Sequence, residues 1–229
     1  MNLIKLSLLP IMMLVFLNSM TVTAQEAEYK WNIGGDLGIS GYLGEYSGTT
    51  PFSKPGFSFA VHGSYIYDVR WQFSANISLS GASGSVKSIK GAYPQQAKSS
   101  FTAFTTQIDA MAEFNFLPYG IGETYKGLKR WTPFIGAGIG VVAAKPDGES
   151  LIIAPELPLA IGVRYKFKPR FDLYARFTIT KTFSDKVDGA DGLYGIKSDW
   201  FKNTDWLCAF SIGISYEFGQ RCQTCHYVE

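Results

Sequence analysis

Near the end of the chain, Trp206 to Phe218 alternate without a break between apolar and small or polar residues. Trp206, Cys208, Phe210, Ile212, Ile214, Tyr216 and Phe218 share one side, and Leu207, Ala209, Ser211, Gly213, Ser215 and Glu217 share the other. Side chains alternate faces only in an extended strand, so this period of two fixes the local conformation. The run is long for a globular strand, and its apolar face begins and ends in aromatic residues. Both properties suit a strand that crosses a bilayer.

The same period recurs along the chain and predicts eight strands. They are Tyr29 to Leu43, Phe57 to Tyr67, Trp71 to Leu79, Phe104 to Phe116, Trp131 to Ala143, Leu157 to Phe167, Phe171 to Phe183, and Trp206 to Phe218. In the third, Trp71, Phe73, Ala75, Ile77 and Leu79 face away from Gln72, Ser74, Asn76 and Ser78. Across the apolar faces of all eight only Lys181 is charged, as expected where a charge facing lipid costs about 2–4 kcal/mol at mid-membrane. A soluble sandwich or lipocalin-like barrel would turn these faces inward, and the aromatic strand ends argue against that.

An even strand count suggests closure, and the connections alternate in length. Asp68 to Arg70 and Lys168 to Arg170 are tight, whereas Gly44 to Pro55, Ser80 to Lys98 and Ser184 to Thr204 are long. The expected fold is all-β: an eight-stranded antiparallel up-and-down transmembrane barrel with short periplasmic turns and longer outer loops. Leu117 to Arg130 is long for a periplasmic turn, and Lys145 to Ser150 is short for an outer loop. Trp31, Tyr67, Trp71, Phe116, Trp131, Phe167, Phe171 and Phe218 form the expected periplasmic girdle. Phe57, Phe104, Phe183 and Trp206 form the outer one. Eight strands leave a lumen that side chains can fill, so Asp36, Asp109, Glu113, Arg164, Tyr174 and Arg176 are expected to pack there as a polar core instead of a solute path.

The N-terminus reads as a signal peptide over residues 1–24. Lys5 precedes the apolar run Leu8 to Leu17, and Val22-Thr23-Ala24 supplies small residues for cleavage. No later stretch holds 18 consecutive apolar residues, which argues strongly against an α-helical membrane protein. The barrel is thus expected over residues 25–218 and a periplasmic tail over 219–229, with both mature chain ends periplasmic and the protein in the outer membrane. A formal net charge of +2 gives no basis for nucleic-acid binding.

Few residues look chemically active. Cys208 and Cys222 cannot meet: ten strand residues span about 33 Å, while four tail residues reach at most about 14 Å. Cys208 reads as an inert apolar thiol on the lipid face. Cys222-Gln223-Thr224-Cys225-His226 matches the c-type haem attachment pattern. The short remaining tail offers neither a haem pocket nor a complete zinc set, so no cofactor is expected. The alternatives for Cys222 and Cys225 are an internal disulfide or a bond to a periplasmic partner in an oxidising compartment.

Nothing suggests an enzyme. His62 shares its strand face with Ser58 and Ser64, but residues two apart lie about 6.5–7 Å from each other, too far for a nucleophile–base pair. The stretch from Asp185 through Asp188 and Asp191 lacks the alternating acids of a calcium loop and reads as turn-forming Asp-Gly pairs. Arg70, Lys126, Lys129, Arg130, Lys168, Arg170 and Arg221 all map to the short-turn rim, where Asp68 and Glu123 are the main acids. They can serve as ordinary interfacial cations or as a basic ring that docks a partner.

Several segments, in order, resemble the PorG-type barrel of the type IX secretion machinery. They are Gly41-Tyr42-Leu43-Gly44-Glu45, Asn115-Phe116-Leu117-Pro118-Tyr119, Trp131-Thr132-Pro133-Phe134, Lys181-Thr182-Phe183-Ser184-Asp185-Lys186-Val187-Asp188, and Asn203-Thr204-Asp205-Trp206. The fourth resembles that family's Lys-Thr-x-Thr-Asp-Tyr-Leu-Asp pattern, with Ser184, Lys186 and Val187 as departures and Gly189 where a further Asp is common. The resemblance implies a non-enzymatic outer-membrane protein, in contact with lipid, that associates with a periplasmic ring made of a lipoprotein and its partner. It implies no catalytic residues, and it makes the tail cysteines the covalent link to that ring. The competing expectation is a general small barrel that stabilises the membrane or binds ligands through its outer loops.

Overall fold

The computed structural model describes residues 27–43, 55–85, 100–121, 127–146, 151–183 and 206–220. The expected signal peptide, most of the tail and the centres of the outer loops lie outside these residues. Eight antiparallel strands form a closed barrel in sequence order: β1 (Tyr29–Leu43), β2 (Gly56–Ile66), β3 (Trp71–Ser85), β4 (Ser100–Asn115), β5 (Trp131–Pro146), β6 (Ile152–Lys168), β7 (Phe171–Thr182) and β8 (Trp206–Gln220). Pairing of β1 with β8, from Tyr29 opposite Gln220 to Leu43 opposite Trp206, closes the wall. Closure leaves no strand edge with unpaired amides, which lipid could not hydrate.

Burial runs opposite to that of a soluble protein. Ile139, Ile153 and Phe57 are 70%, 68% and 65% exposed, whereas Asn32, Asp36, His62, Ser64, Gln72, Glu113, Arg164, Asp172 and Arg176 are buried. The apolar face of each dyad repeat therefore points outward and the polar face into the lumen, as the alternation predicts. Exposed Trp31, Tyr67, Phe116, Trp131, Phe171 and Phe218 ring the short-turn end, with Phe57, Phe104 and Trp206 towards the other. Lys181, the one charge expected on the lipid face, lies with its ammonium 5.5 Å from the centre of the Trp206 ring.

Several strands outrun their sequence limits. β3 and β4 pair as far as Ser85 opposite Ser100, so the expected loop Ser80 to Lys98 begins as a hairpin that climbs past the Phe57–Phe104 level. β6 begins at Ile152 instead of Leu157, although Pro155 and Pro158 lie within it. A proline has no amide to donate, and the β5–β6 ladder lapses at Pro158, between the pairs Ala137–Leu159 and Gly140–Glu156. β8 continues to Gln220, so the first two residues expected in the tail belong to the wall.

Small residues on the inner face make room for large ones. A methyl group at Gly213 would collide with the Tyr174 ring, and one at Gly162 with Phe134. The tight β2–β3 turn is held by Asp68, whose carboxylate accepts from the amides of Arg70 (2.7 Å) and Trp71 (2.6 Å), a turn that Asp favours.

Ile161 lies at the outward centre of β6, opposite Ile135 and Phe177. Ile161→Arg is expected to destabilise the barrel by about 2–4 kcal/mol in lipid vesicles, read by urea unfolding.

Candidate functional site

Strand alternation brings one acid and two guanidinium groups together in mid-lumen. Glu113 of β4, fully buried, meets Arg164 of β6 at 2.5 Å and Arg176 of β7 at 3.9 Å. Ser74 donates to the same carboxylate at 3.0 Å, and Arg164 donates to Gln72 at 2.9 Å while lying 4.3 Å from the centre of the Phe134 ring. Beside this group, the Tyr174 hydroxyl donates to Asp36 at 2.9 Å, and Asn76 donates to Asp109 at 2.7 Å. Arg176 joins the groups, donating to Asn76 at 3.3 Å and lying 5.2 Å from the centre of the Tyr174 ring, so all six residues expected in the polar core belong to one connected network. His62 bonds to Asn32 and Tyr174, each at 3.3 Å, and the Ser64 hydroxyl has no protein partner. His62 is a packing residue.

A second layer closes the short-turn end. Lys166 bridges Asp172 (3.1 Å) and Glu217 (2.6 Å), and Asn32 donates to Asp172 at 3.2 Å. The long connection after β4 completes it. Its Tyr119 turns into the lumen, is 9% exposed and donates its hydroxyl to Asp172 at 2.7 Å, with the Lys166 ammonium 5.1 Å from its ring centre. Backbone bonds from Tyr119 to Val69 (3.1 Å), Gly120 to Lys129 (3.0 Å) and Lys129 to Pro118 (2.7 Å) strap this segment across the mouth. Burial and the adjacent Asp172 carboxylate push the Tyr119 phenol well above its usual range, so it stays protonated and remains a donor. The described parts of this long connection, residues 117–121 and 127–130, thus form a plug. The length of the connection and Tyr119 directly after Pro118 were the sequence signals for it.

The outer half of the lumen retains a cavity of about 50 Å³, whose mixed lining includes Ser58, Asn76, Gln107, Asp109, Arg176 and Thr180. A few water molecules fit such a space. Nearby, Gln107 donates to one oxygen of buried Glu156 at 2.8 Å, and the other oxygen has no protein partner.

The expected basic rim is partly described. Lys129, Arg130, Lys168 and Arg170 are exposed and Arg70 half-buried, all at the short-turn end. Arg70 donates to the Phe116 carbonyl at 3.3 Å. Exposed Lys30, beside Tyr29, joins them and was missed because it falls within the alternation of β1. Lys126, Arg221, Cys222, Cys225, Asp185 and Asp188 lie outside the described residues. Cys208 keeps its outward register position between Trp206 and Phe210, opposite Gly41 and Ile179, but is buried there. Leu207 and Cys208 are both buried, so burial does not alternate there although the strand register does.

This inverted, closed barrel has known counterparts. The sequence matches the outer membrane protein β-barrel domain over residues 11–218. The chain belongs to that family. Among solved structures, Neisserial surface protein A is 18% identical, with a TM-score of 0.54 over 82% of this chain and 97% of its own. Ail of Yersinia pestis, bound to the heparin analogue sucrose octasulfate, is 11% identical, with a TM-score of 0.49 over 84% and 100%. The outer membrane enzyme PagL is 11% identical, with a TM-score of 0.36 over 82% and 99%. No curated protein matches the sequence. The first of these likenesses supports the fold, and family membership places this outer membrane β-barrel in the outer membrane.

For this family member the lumen is a set of stoppers. Removing one partner of a buried ion pair leaves the others uncompensated. Glu113→Ala is therefore expected to cost about 3–5 kcal/mol in urea unfolding from lipid vesicles. Tyr119→Phe, which deletes one buried hydrogen bond, is expected to cost about 1–3 kcal/mol in the same measurement.

Proposed function

We propose that this barrel is a non-enzymatic anchor that organises a periplasmic protein-secretion complex of the type IX kind. The observation that carries this reading is the blocked lumen above a basic short-turn rim. Glu113–Arg164 and the Tyr119 plug leave the two rims as the working surfaces, and the short-turn rim exposes Lys129 and Arg130 on the plug itself. Short turns are periplasmic in outer-membrane barrels. Both β1 and β8 have their outer chain ends at that rim, which supports periplasmic termini. The resemblance to PorG-type barrels supplies the partner class, a periplasmic ring of a lipoprotein and its partner. In this reading the plug cations and the tail carrying Cys222 and Cys225 engage that ring.

Deleting the gene is expected to abolish secretion of cargo proteins; normal cargo export would overturn the reading. A non-reducing gel of cell envelopes is expected to show a higher-mass band that a Cys222→Ser, Cys225→Ser double variant lacks. Its absence from the wild type would remove the covalent link.

A second reading, a general small barrel that binds ligands at the cell surface, is favoured by the β3–β4 hairpin that rises beyond the outer aromatic level. Removing residues 86–99 would then abolish surface binding while cargo secretion continues.

A further inference from the structure

One cation of the rim is held in a way that docking to a protein does not require. Arg170, in the turn between β6 and β7, donates from Nε to the Tyr29 hydroxyl at 3.3 Å and from Nη1 to the Tyr216 hydroxyl at 3.2 Å. Its guanidinium carbon lies 5.4 Å from the centre of the Tyr29 ring. Both partners are phenol hydroxyls, and no carboxylate among the described residues pairs with it. Glu217, whose amide donates to the Arg170 carbonyl at 2.8 Å, sends its own carboxylate inward to Lys166. A guanidinium has five N–H donors. Two are spent on orientation, and three remain for a ligand.

The surroundings specify where that ligand sits. Tyr216 packs against Phe171 at 5.1 Å and stacks on Phe218 at 6.4 Å between ring centres, and Phe171 meets Phe167 at 5.9 Å. These rings belong to the aromatic girdle, which marks the boundary of the hydrocarbon layer. Lys168, exposed at the end of β6, and Lys30, exposed next to Tyr29, add charge on either side. An oriented guanidinium at girdle height faces the layer where lipid phosphates lie, and its planar fork matches phosphate oxygens.

We propose that Arg170, oriented by Tyr29 and Tyr216 and assisted by Lys168, is a binding site for the phosphate of an anionic phospholipid in the leaflet at the short-turn end. The site goes beyond the docking role and divides the basic rim. The β6–β7 side grips lipid, and the plug side with Lys129 and Arg130 remains for protein.

Native mass spectrometry of the full barrel, released from detergent containing phosphatidylglycerol or phosphatidylcholine, tests the site. The wild type is expected to retain phosphatidylglycerol about tenfold more strongly than Arg170→Gln, the ratio expected for one charge-assisted contact. A Tyr29→Phe, Tyr216→Phe double variant keeps every charge and is expected to lose most of that retention, as is Arg170→Lys. Lys145→Gln, at the opposite end of β5, should bind as the wild type does. Heat-dependent gel mobility reports whether each variant is folded. Wild-type retention by the folded double phenylalanine variant or by Arg170→Lys would show unspecific interfacial charge and overturn the site. Equal retention of phosphatidylcholine would overturn it too. Displacement of the lipid by equimolar inorganic phosphate would reassign the site to a soluble anion, whereas its failure to compete supports a lipid headgroup. Unchanged lipid retention in Arg170→Gln, with loss of an acidic protein from purified complexes, would assign Arg170 to protein docking instead.

Discussion

Everything in this molecule follows from the need to pair backbone amides where no water is available. Lipid cannot satisfy an exposed N–H or C=O, so the wall must close, and closure joins β1 to β8 along almost their whole length. A closed wall of eight strands sets a narrow interior. That interior is then the only place for the polar half of each dyad repeat. The cluster of Glu113, Arg164 and Arg176 is thus a result of closure as much as of its own attraction, since buried ion pairs seldom contribute much net stability.

The same geometry separates the protein's possible roles by location. The wall meets lipid, the lumen meets mainly itself, and the two ends meet the two aqueous compartments. At the short-turn end the cations fall into two surroundings. Arg170 lies among girdle aromatics, and Lys129 and Arg130 lie on the strap that crosses the mouth. A charge count of the rim cannot distinguish these surroundings.

The parity of every strand was legible in the sequence, because a period of two admits one assignment of faces once the apolar face is known to meet lipid. Strand length was less legible. The expected start of β6 at Leu157 falls short, since the outward row continues through Ile153, past Pro155, and the ladder lapses only at Pro158. The extension of β3 and β4 was hidden by the run Gly81-Ala82-Ser83-Gly84-Ser85, whose small residues carry no hydrophobic contrast. Partners across the lumen were not legible at all. Alternation says that Glu113, Arg164 and Tyr174 point inward, but which of them touch depends on strand register around the whole barrel. Tyr119 escaped for a related reason: it belongs to no strand, and its value lies in reaching Asp172 of β7 from the connection between β4 and β5.

The mid-lumen ion cluster has a bearing on how the wall is assembled. Glu113 comes from β4, and its cationic partners come from β6 and β7, neither of which is a neighbour of β4 in the wall. A hairpin that slipped by one residue would still form backbone bonds, but it would turn one of these charges toward acyl chains and strand the others inside. The cluster therefore couples the parity of strands that are not neighbours in the wall: an odd slip of any one of them would leave a charge facing lipid and its partners unpaired inside.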